Sequence, residues 1–362
     1  MAISEEFGGA GSLAHRPTGS FVHGVNYPWS TDGQTIFYGL DFGSNVWGSH
    51  LGVSTRREAI ARDFEEMARL GFLVSRWFVF CDGRAGIVYD DRGLPDGLDE
   101  AFFVDVDAGL EIARDANMRV DFVLFDHHWL FRGIRDTLAD PVTGDLLEAR
   151  LPEGRARILL TQEGHDALFD RVIEPFVRRY GGGARADLRD HVFAFEFMNE
   201  PDFVVEEWER DRSPRVRRAL PFEALAAAIA RLSDVVHRHS PAMVTLGGAR
   251  ADNLWAWDAD ALGLDMLQLH AYPDSPHPGD VDVFSTPARA LDVRREVILG
   301  EVRSSAPLDE SLEKALAGGY AGAWPWSFSG TDTWGRLPVD ALKRFGERHP
   351  ELVNSRFAAH GG

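Results

Sequence analysis

The sequence predicts a closed (β/α)8 barrel, one domain with elaborated loops after its strands, from three observations. Short runs rich in Val, Phe and Leu alternate with amphipathic helix-like runs, as parallel strands joined by crossover helices do. Counting the strand-like runs gives eight. Several stop abruptly on polar or ionisable residues, which is how barrel strands meet a loop-built mouth. An open doubly wound sheet is the alternative, but it would carry a glycine-rich phosphate turn after an early strand. The nearest such run, Gly8-Gly-Ala-Gly11, lies in the N-terminal tail.

The first strand is read over 21–27, followed by an aromatic-rich loop with Trp29, Tyr38 and Trp47. Thr55-Arg-Arg-Glu58 reads as a capping box that opens a helix with Ile60, Phe64 and Met67 on its apolar side and Gly71 at its end. The second strand, over 72–80, leads to a helix carrying Phe102, Val106 and Leu110. The third, over 120–125, ends in Asp126-His127-His128-Trp129. Residues 132–160 exceed an ordinary connection and are expected to fold over the mouth. A helix through Leu168, Val172 and Phe176, bent at Pro175, returns the chain to the fourth strand. That strand is Phe193-Ala-Phe-Glu-Phe-Met, and it ends in Asn199-Glu200-Pro201.

The segment 203–218, charged around Trp208, reads as a solvated loop with a short helix. Leu225, Ile229, Leu232 and Val236 mark the next helix. Strands over 244–247, 266–270, 297–301 and 320–326 follow, with helices over 308–316 and around Leu342 and Phe345. Trp324 and Trp326 alternate in the last strand, so one of them packs the barrel.

Composition narrows the function. With 362 residues, 44% of them hydrophobic, and no Pro/Gly/Ser-rich linker, the chain reads as one domain over 21–362 behind a mobile tail over 1–20. A net charge of −19 argues against nucleic acid or an anionic membrane as partner. The single cysteine, Cys81, allows no intrachain disulfide and fits a reducing compartment. The tail has neither the basic start nor the apolar run of a secretory signal, and no run approaches the roughly 20 apolar residues of a membrane span. A cytoplasmic protein is expected.

In a closed barrel every strand ends at the same rim, so the strand-end residues form one site. That rim holds Asn26, Arg76, His127, Asn199, Glu200, His270, Tyr272, Glu301 and Trp326, with Trp29 in the first loop. Two glutamates facing each other suit glycoside hydrolysis: one protonates the leaving oxygen, and the other attacks or activates water. Arg76 is placed to keep one of them ionised, while burial and like charge keep the other protonated. Asn, His and Tyr side chains offer hydrogen bonds to sugar hydroxyls, and an indole such as Trp326 offers an apolar face to a pyranose. Glu196, deeper on the fourth strand, reads as a buried structural carboxylate.

The motifs Gly24-Val-Asn-Tyr-Pro-Trp29, Ser75-Arg-Trp-Phe-Val-Phe80, Phe195-Glu-Phe-Met-Asn-Glu-Pro201, His270-Ala-Tyr-Pro-Asp274, Leu299-Gly-Glu301 and Trp326-Ser-Phe follow one another along the chain. With them the chain resembles a clan A glycoside hydrolase, most of all family five, on its β-mannanase and β-mannosidase side. The resemblance implies a retaining O-glycosyl hydrolase with Glu200 as general acid/base and Glu301 as nucleophile. It implies substrate-binding roles for Arg76, His270, Tyr272 and Trp326, and a β-linked mannoside or glucoside oligosaccharide as substrate. The chain departs from the family in the adjacency of Asp126 and His127, where an intervening residue is common, and in Val302-Arg303 after Glu301.

Two other readings stay open on the residues alone. A metal-dependent sugar isomerase or epimerase could draw ligands from Asp126, His127, Glu200, His270 and Glu301. No metal-spaced pair such as His-Glu-x-x-His is present, so neither a metal nor another cofactor is expected. A catalytically silent carbohydrate-binding barrel could use the ten tryptophans, but would have no reason to sustain two buried like charges.

Overall fold

The structure, a computed structural model, describes residues 21–30, 39–131, 134–139, 146–151, 155–216, 218–272, 281–304, 307–330 and 336–356. The tail over 1–20 and its glycine run, Tyr38, Pro273 and Asp274 fall outside the described residues. The barrel strands are β1 (Val22–Asn26), β2 (Val74–Cys81), β3 (Arg119–Asp126), β4 (Val192–Asn199), β5 (Met243–Gly248), β6 (Leu267–Ala271), β7 (Val297–Arg303) and β8 (Gly322–Trp326). Each pairs in parallel with its neighbours in sequence, and β8 closes on β1. This is the expected (β/α)8 barrel, with strand ends within two residues of those read in the sequence.

The helix faces follow the apolar spacing. Ile60, Phe64 and Met67 on Arg57–Arg69, Phe102, Val106 and Leu110 on Phe102–Asp115, and Leu225, Ile229, Leu232 and Val236 on Phe222–His239 are all buried in the layer between helices and sheet. Inside the barrel a separate apolar floor forms from Val22, Val74, Phe193, Ala194, Met266, Ile298, Ala321 and Trp324. Trp324 is therefore the indole that packs the barrel, donating to the Val22 carbonyl at 3.2 Å. A Cβ at position 24 would stand 2.6 Å from its ring, which is why β1 carries Gly24 there.

Several local readings are corrected. Thr55-Arg-Arg-Glu58 does not form a capping box, because buried Asp105 takes over that turn by accepting from the Ser54 backbone N–H at 2.8 Å and its hydroxyl at 2.6 Å. A one-turn 3-10 helix, Val53–Arg56, forms instead, with Thr55 Oγ1 donating to the Gly52 carbonyl. The bend expected at Pro175 is a π-turn over Phe169–Ile173, just ahead of the proline whose missing N–H leaves the Arg171 carbonyl without its helical partner. The segment 203–218 is anchored rather than solvated: Trp208 packs on Trp257 at 4.9 Å and on Phe222 at 5.7 Å, and buried Asp211 accepts from Asn253.

The alternation of strands and helices is incomplete. Between β5 and β6 the chain makes only short turns around Leu254–Trp257, and between β6 and β7 the described residues hold one 3-10 turn, Ala288–Ala290. Two hairpins went unread in the sequence, Ile87–Tyr89 with Pro95–Leu98 after β2 and Ile134–Ala139 with Leu146–Leu151 after β3. The second occupies the long segment expected over the mouth, and Phe131 bridges to Val216 beside it. Among the described residues no helix is long and apolar enough to cross a membrane.

On β1, His23 is buried between Phe72 at 4.5 Å and Phe345 at 5.2 Å. Burial pushes its pKa from 6.5 down to about 3, so the folded imidazole stays neutral while the unfolded one takes a proton below pH 6.5. The unfolded state then binds more protons between those values, and stability falls as pH drops through that window, by on the order of 4 kcal/mol for this group at pH 3. Urea unfolding of His23→Phe at pH 7 and pH 4.5 is expected to show a smaller acid loss than the unaltered chain. An equal loss would contradict it.

Candidate active site

The backbone of the fourth and seventh strands does the aiming. In the β4–β5 pairing Glu196 lies opposite Thr245 and Asn199 opposite Gly247, so an extra residue sits between them. This bulge turns Asn199 to the same interior face as Glu196, where simple alternation would have placed it outside. Glu200 follows in a left-handed conformation, φ 51° and ψ 51°, which costs a non-glycine residue about 1 kcal/mol. Its N–H donates to the Gly247 carbonyl at 2.7 Å, and its side chain turns into the mouth, 18% exposed. On β7, Leu299 lies opposite Leu269 and Glu301 opposite His270, with Gly300 as the extra residue. A Cβ on Gly300 would fall 2.2 Å from Gln268 Oε1, so only glycine fits that bulge.

Glu200 and Glu301 thereby face each other. One carboxylate oxygen of each and a ring nitrogen of His270 lie within 4.8 Å of one another. His270 Nδ1 is 3.1 Å from Glu200 Oε1 and 3.6 Å from Glu301 Oε1. Arg76 Nη1 donates to Glu301 Oε1 at 2.8 Å, and the Tyr272 hydroxyl donates to Oε2 at 2.6 Å. Asn199 links the two sides, accepting from Arg76 at 2.7 Å and donating to Asp126 Oδ2 at 2.7 Å. His127 Nδ1 stands 3.8 Å from Glu200 Oε2 and 3.6 Å from Asp126 Oδ1, and Asp126 also holds the His128 ring.

Electrostatics separate the two carboxyl groups. Burial pushes Glu200 up, His127, Arg76 and Arg250 oppose the rise, and Asp126 adds to it. Burial pushes Glu301 up as well, against His270, Arg76 and the Tyr272 hydroxyl, which favour the carboxylate. Burial also drives His270 down to about 4, so near pH 7 it is neutral and Arg76 is the cation that acts on Glu301. Both Glu301 oxygens accept strong donors, which favours charge on Glu301 over charge on Glu200. Tyr272 stays a phenol, since burial and the charge of Glu301 push it upward.

All ten residues singled out at the rim lie around this mouth, but at different depths. Asn26 and Arg76 have no exposed surface: Asn26 donates to the Gly300 carbonyl at 2.8 Å and accepts from Arg76 at 2.9 Å, so both act from beneath rather than at the opening. Trp29 and Trp326 are half-buried and meet edge to face at 6.0 Å, each also against Phe78 at 6.1 Å. Asp121, Gln268 and Gly247 went unread. The signal was there for two of them, as single polar residues inside the apolar runs of β3 and β6. Gly247 had none; a Cβ there would stand 2.5 Å from Glu196 and 3.0 Å from both Arg76 and His270.

Among the described residues two groups could hold a metal ion, Glu200 with His270 and Glu301, and Asp126 with His127 and His128. In the first, Glu301 is already bound by the Arg76 cation and Tyr272, an environment that repels a dication.

No protein-family model and no curated protein matches the chain. Its likeness is to solved structures. The β-1,4-mannanase of the sea hare Aplysia kurodai superposes with a TM-score of 0.68 at 17% identity, over 91% of this chain and 93% of that one. The fold is that of β-mannanases. The endo-1,4-β-mannanase of Eisenia fetida gives 0.65 at 20% identity, over 89% and 90%. An exo-β-1,4-mannosidase from an Opitutaceae bacterium gives 0.55 at 16% identity, over 94% of this chain and 63% of that one. Identities this low make these likenesses of fold, and the chemistry rests on the mouth itself.

Proposed function

We propose that the chain is a retaining glycoside hydrolase that cleaves β-mannosides, with β-glucosides the second choice, in oligosaccharides or small glycosides. The observation that carries this is the approach of one oxygen each of Glu200 and Glu301 to within 4.8 Å, with the cation and the phenol hydrogen-bonded to Glu301. Carboxyl groups about 5 Å apart suit double displacement, whereas inversion needs roughly 6.5–9.5 Å to seat a water. Glu301 attacks the anomeric carbon as Glu200 gives its proton to the departing oxygen, forming a glycosyl ester. Glu200, now a carboxylate, takes a proton from water, which attacks the same carbon and releases Glu301. Trp326 and Trp29 offer the apolar surface for the sugar ring, and His127, Asn199, His270 and Tyr272 offer polar groups for its hydroxyls.

Hairpins after β2 and β3 add chain beyond those strands, and on that ground chain-end action is the favoured mode, although the fold is shared with both endo- and exo-acting mannan enzymes. A panel of aryl β-glycosides tests the reading, with the β-mannoside expected to turn over fastest and with no loss in excess chelator. Activity lost to chelator and restored by Mn²⁺ or Mg²⁺ would favour a metal-dependent isomerase instead. Viscosity loss of soluble β-mannan out of proportion to the reducing ends released would reverse the preference for chain ends.

A further inference from the structure

Glu196 takes no part in the steps above, yet both of its oxygens are held. It is fully buried on β4, one bulge below Asn199. Its Oε2 accepts from Arg76 Nε at 2.7 Å and from Gln268 Nε2 at 2.8 Å, and its Oε1 accepts from Arg76 Nη2 at 2.6 Å. This two-point grip fixes the plane of the guanidinium, a rigid fork with five N–H donors. The remaining donors then have set directions, Nη2 to Asn199 Oδ1 at 2.7 Å and Nη1 to Asn26 Oδ1 at 2.9 Å and Glu301 Oε1 at 2.8 Å. All five donors are used, and one of them meets Glu301.

We propose that Glu196 is a positioning residue for the reaction assigned above: it aims Arg76 at Glu301 and, as a second carboxylate on that cation, sets the pH at which Glu301 ionises. The inference rests on the hydrolase reading. The groups facing Glu301 are Arg76 on β2, Glu200 from β4, and His270 and Tyr272 from β6; Asp121 from β3 and Glu196 from β4 act on Arg76, and Asp126 and His127 from β3 stand beside Asn199 and Glu200. Asp121, 3.0 Å from Gln268 Nε2, is pushed far up by burial and by the charge of Glu196, and His270 is pushed down by burial, so neither weakens the Arg76 field as a carboxylate bound to it would. Glu196 does, because it shares the same guanidinium.

The test is kcat/KM against pH on an aryl β-glycoside, using the full chain. In Glu196→Gln the charge goes and the acid limb is expected to move down by about one pH unit. Glu196→Asp keeps the charge but cannot reach both nitrogens, so the limb stays while kcat/KM falls at least about tenfold. An unmoved acid limb in Glu196→Gln overturns the proposal, as does Glu196→Asp at full rate, which still decides if the glutamine variant does not fold. An unaltered chain inactive on every aryl glycoside would count against the hydrolase reading alone. The Glu301 titration, followed by infrared difference spectroscopy against Glu301→Gln, then decides the role of Glu196, with a lower midpoint in Glu196→Gln supporting it and an equal one refuting it.

Discussion

Glu301→Ala is expected to lower turnover of an aryl β-mannoside by about 10⁴- to 10⁶-fold even when the leaving group needs no proton, because the atom that forms the glycosyl ester is gone. Azide should restore turnover by attacking from the vacated side, giving a glycosyl azide of inverted configuration. Glu200→Ala behaves differently. An activated phenolate leaves without protonation, so a burst precedes slow turnover for want of a base. Azide then attacks the covalent intermediate and gives the retained configuration. Product anomers read by NMR decide between the two, and exchanged outcomes would mean that the roles are swapped. The asymmetry has a structural cause, since Arg76 and Tyr272 donate hydrogen bonds directly to Glu301, while Glu200 has His270 and His127 beside it and feels the Arg76 and Arg250 cations only at a distance.

Arg76→Met is expected to cost the most stability. The guanidinium is buried between Glu196 and Glu301, and removing one partner of a buried pair costs about 3–5 kcal/mol because the other charge is left without compensation. Here two carboxylates lose their cation at once. They would then hold protons to higher pH in the folded chain than in the unfolded one, so the variant should be least destabilised in acid and lose stability as pH rises. Urea unfolding at pH 5 and pH 8 measures this. A difference from the unaltered chain below roughly 1 kcal/mol at pH 8 would show that the pair is not the electrostatic centre of the barrel.

Much of this was legible in the sequence because it depends on periodicity and on strand ends. The apolar spacing of Ile60, Phe64 and Met67 survives any tertiary context that buries one helix face, and the strands of a barrel bring residues as distant as Asn26 and Glu301 to one rim. What went unread depends on local backbone deviations. The bulges before Asn199 and at Gly300 reset which side chains face inward, and period-two reading has no means of seeing an inserted residue. The left-handed turn at Glu200 likewise puts consecutive residues, Asn199 and Glu200, into one site. The failed capping box at Thr55 shows the converse, where a correct local motif loses to a distant buried carboxylate, Asp105. Glu196 was legible as buried but not as the clamp on Arg76, because the partner lies on another strand.

Covalent trapping tests double displacement at Glu301 most directly. The chain would be incubated with a 2-deoxy-2-fluoro-β-mannosyl fluoride, whose fluorine slows both steps while its good leaving group spares the first, and then digested and mapped by mass spectrometry. One fluoro-sugar on the peptide that contains Glu301 is the expected result. Steady hydrolysis of the β-mannoside to the inverted anomer with no adduct, or an adduct on Glu200, would contradict it.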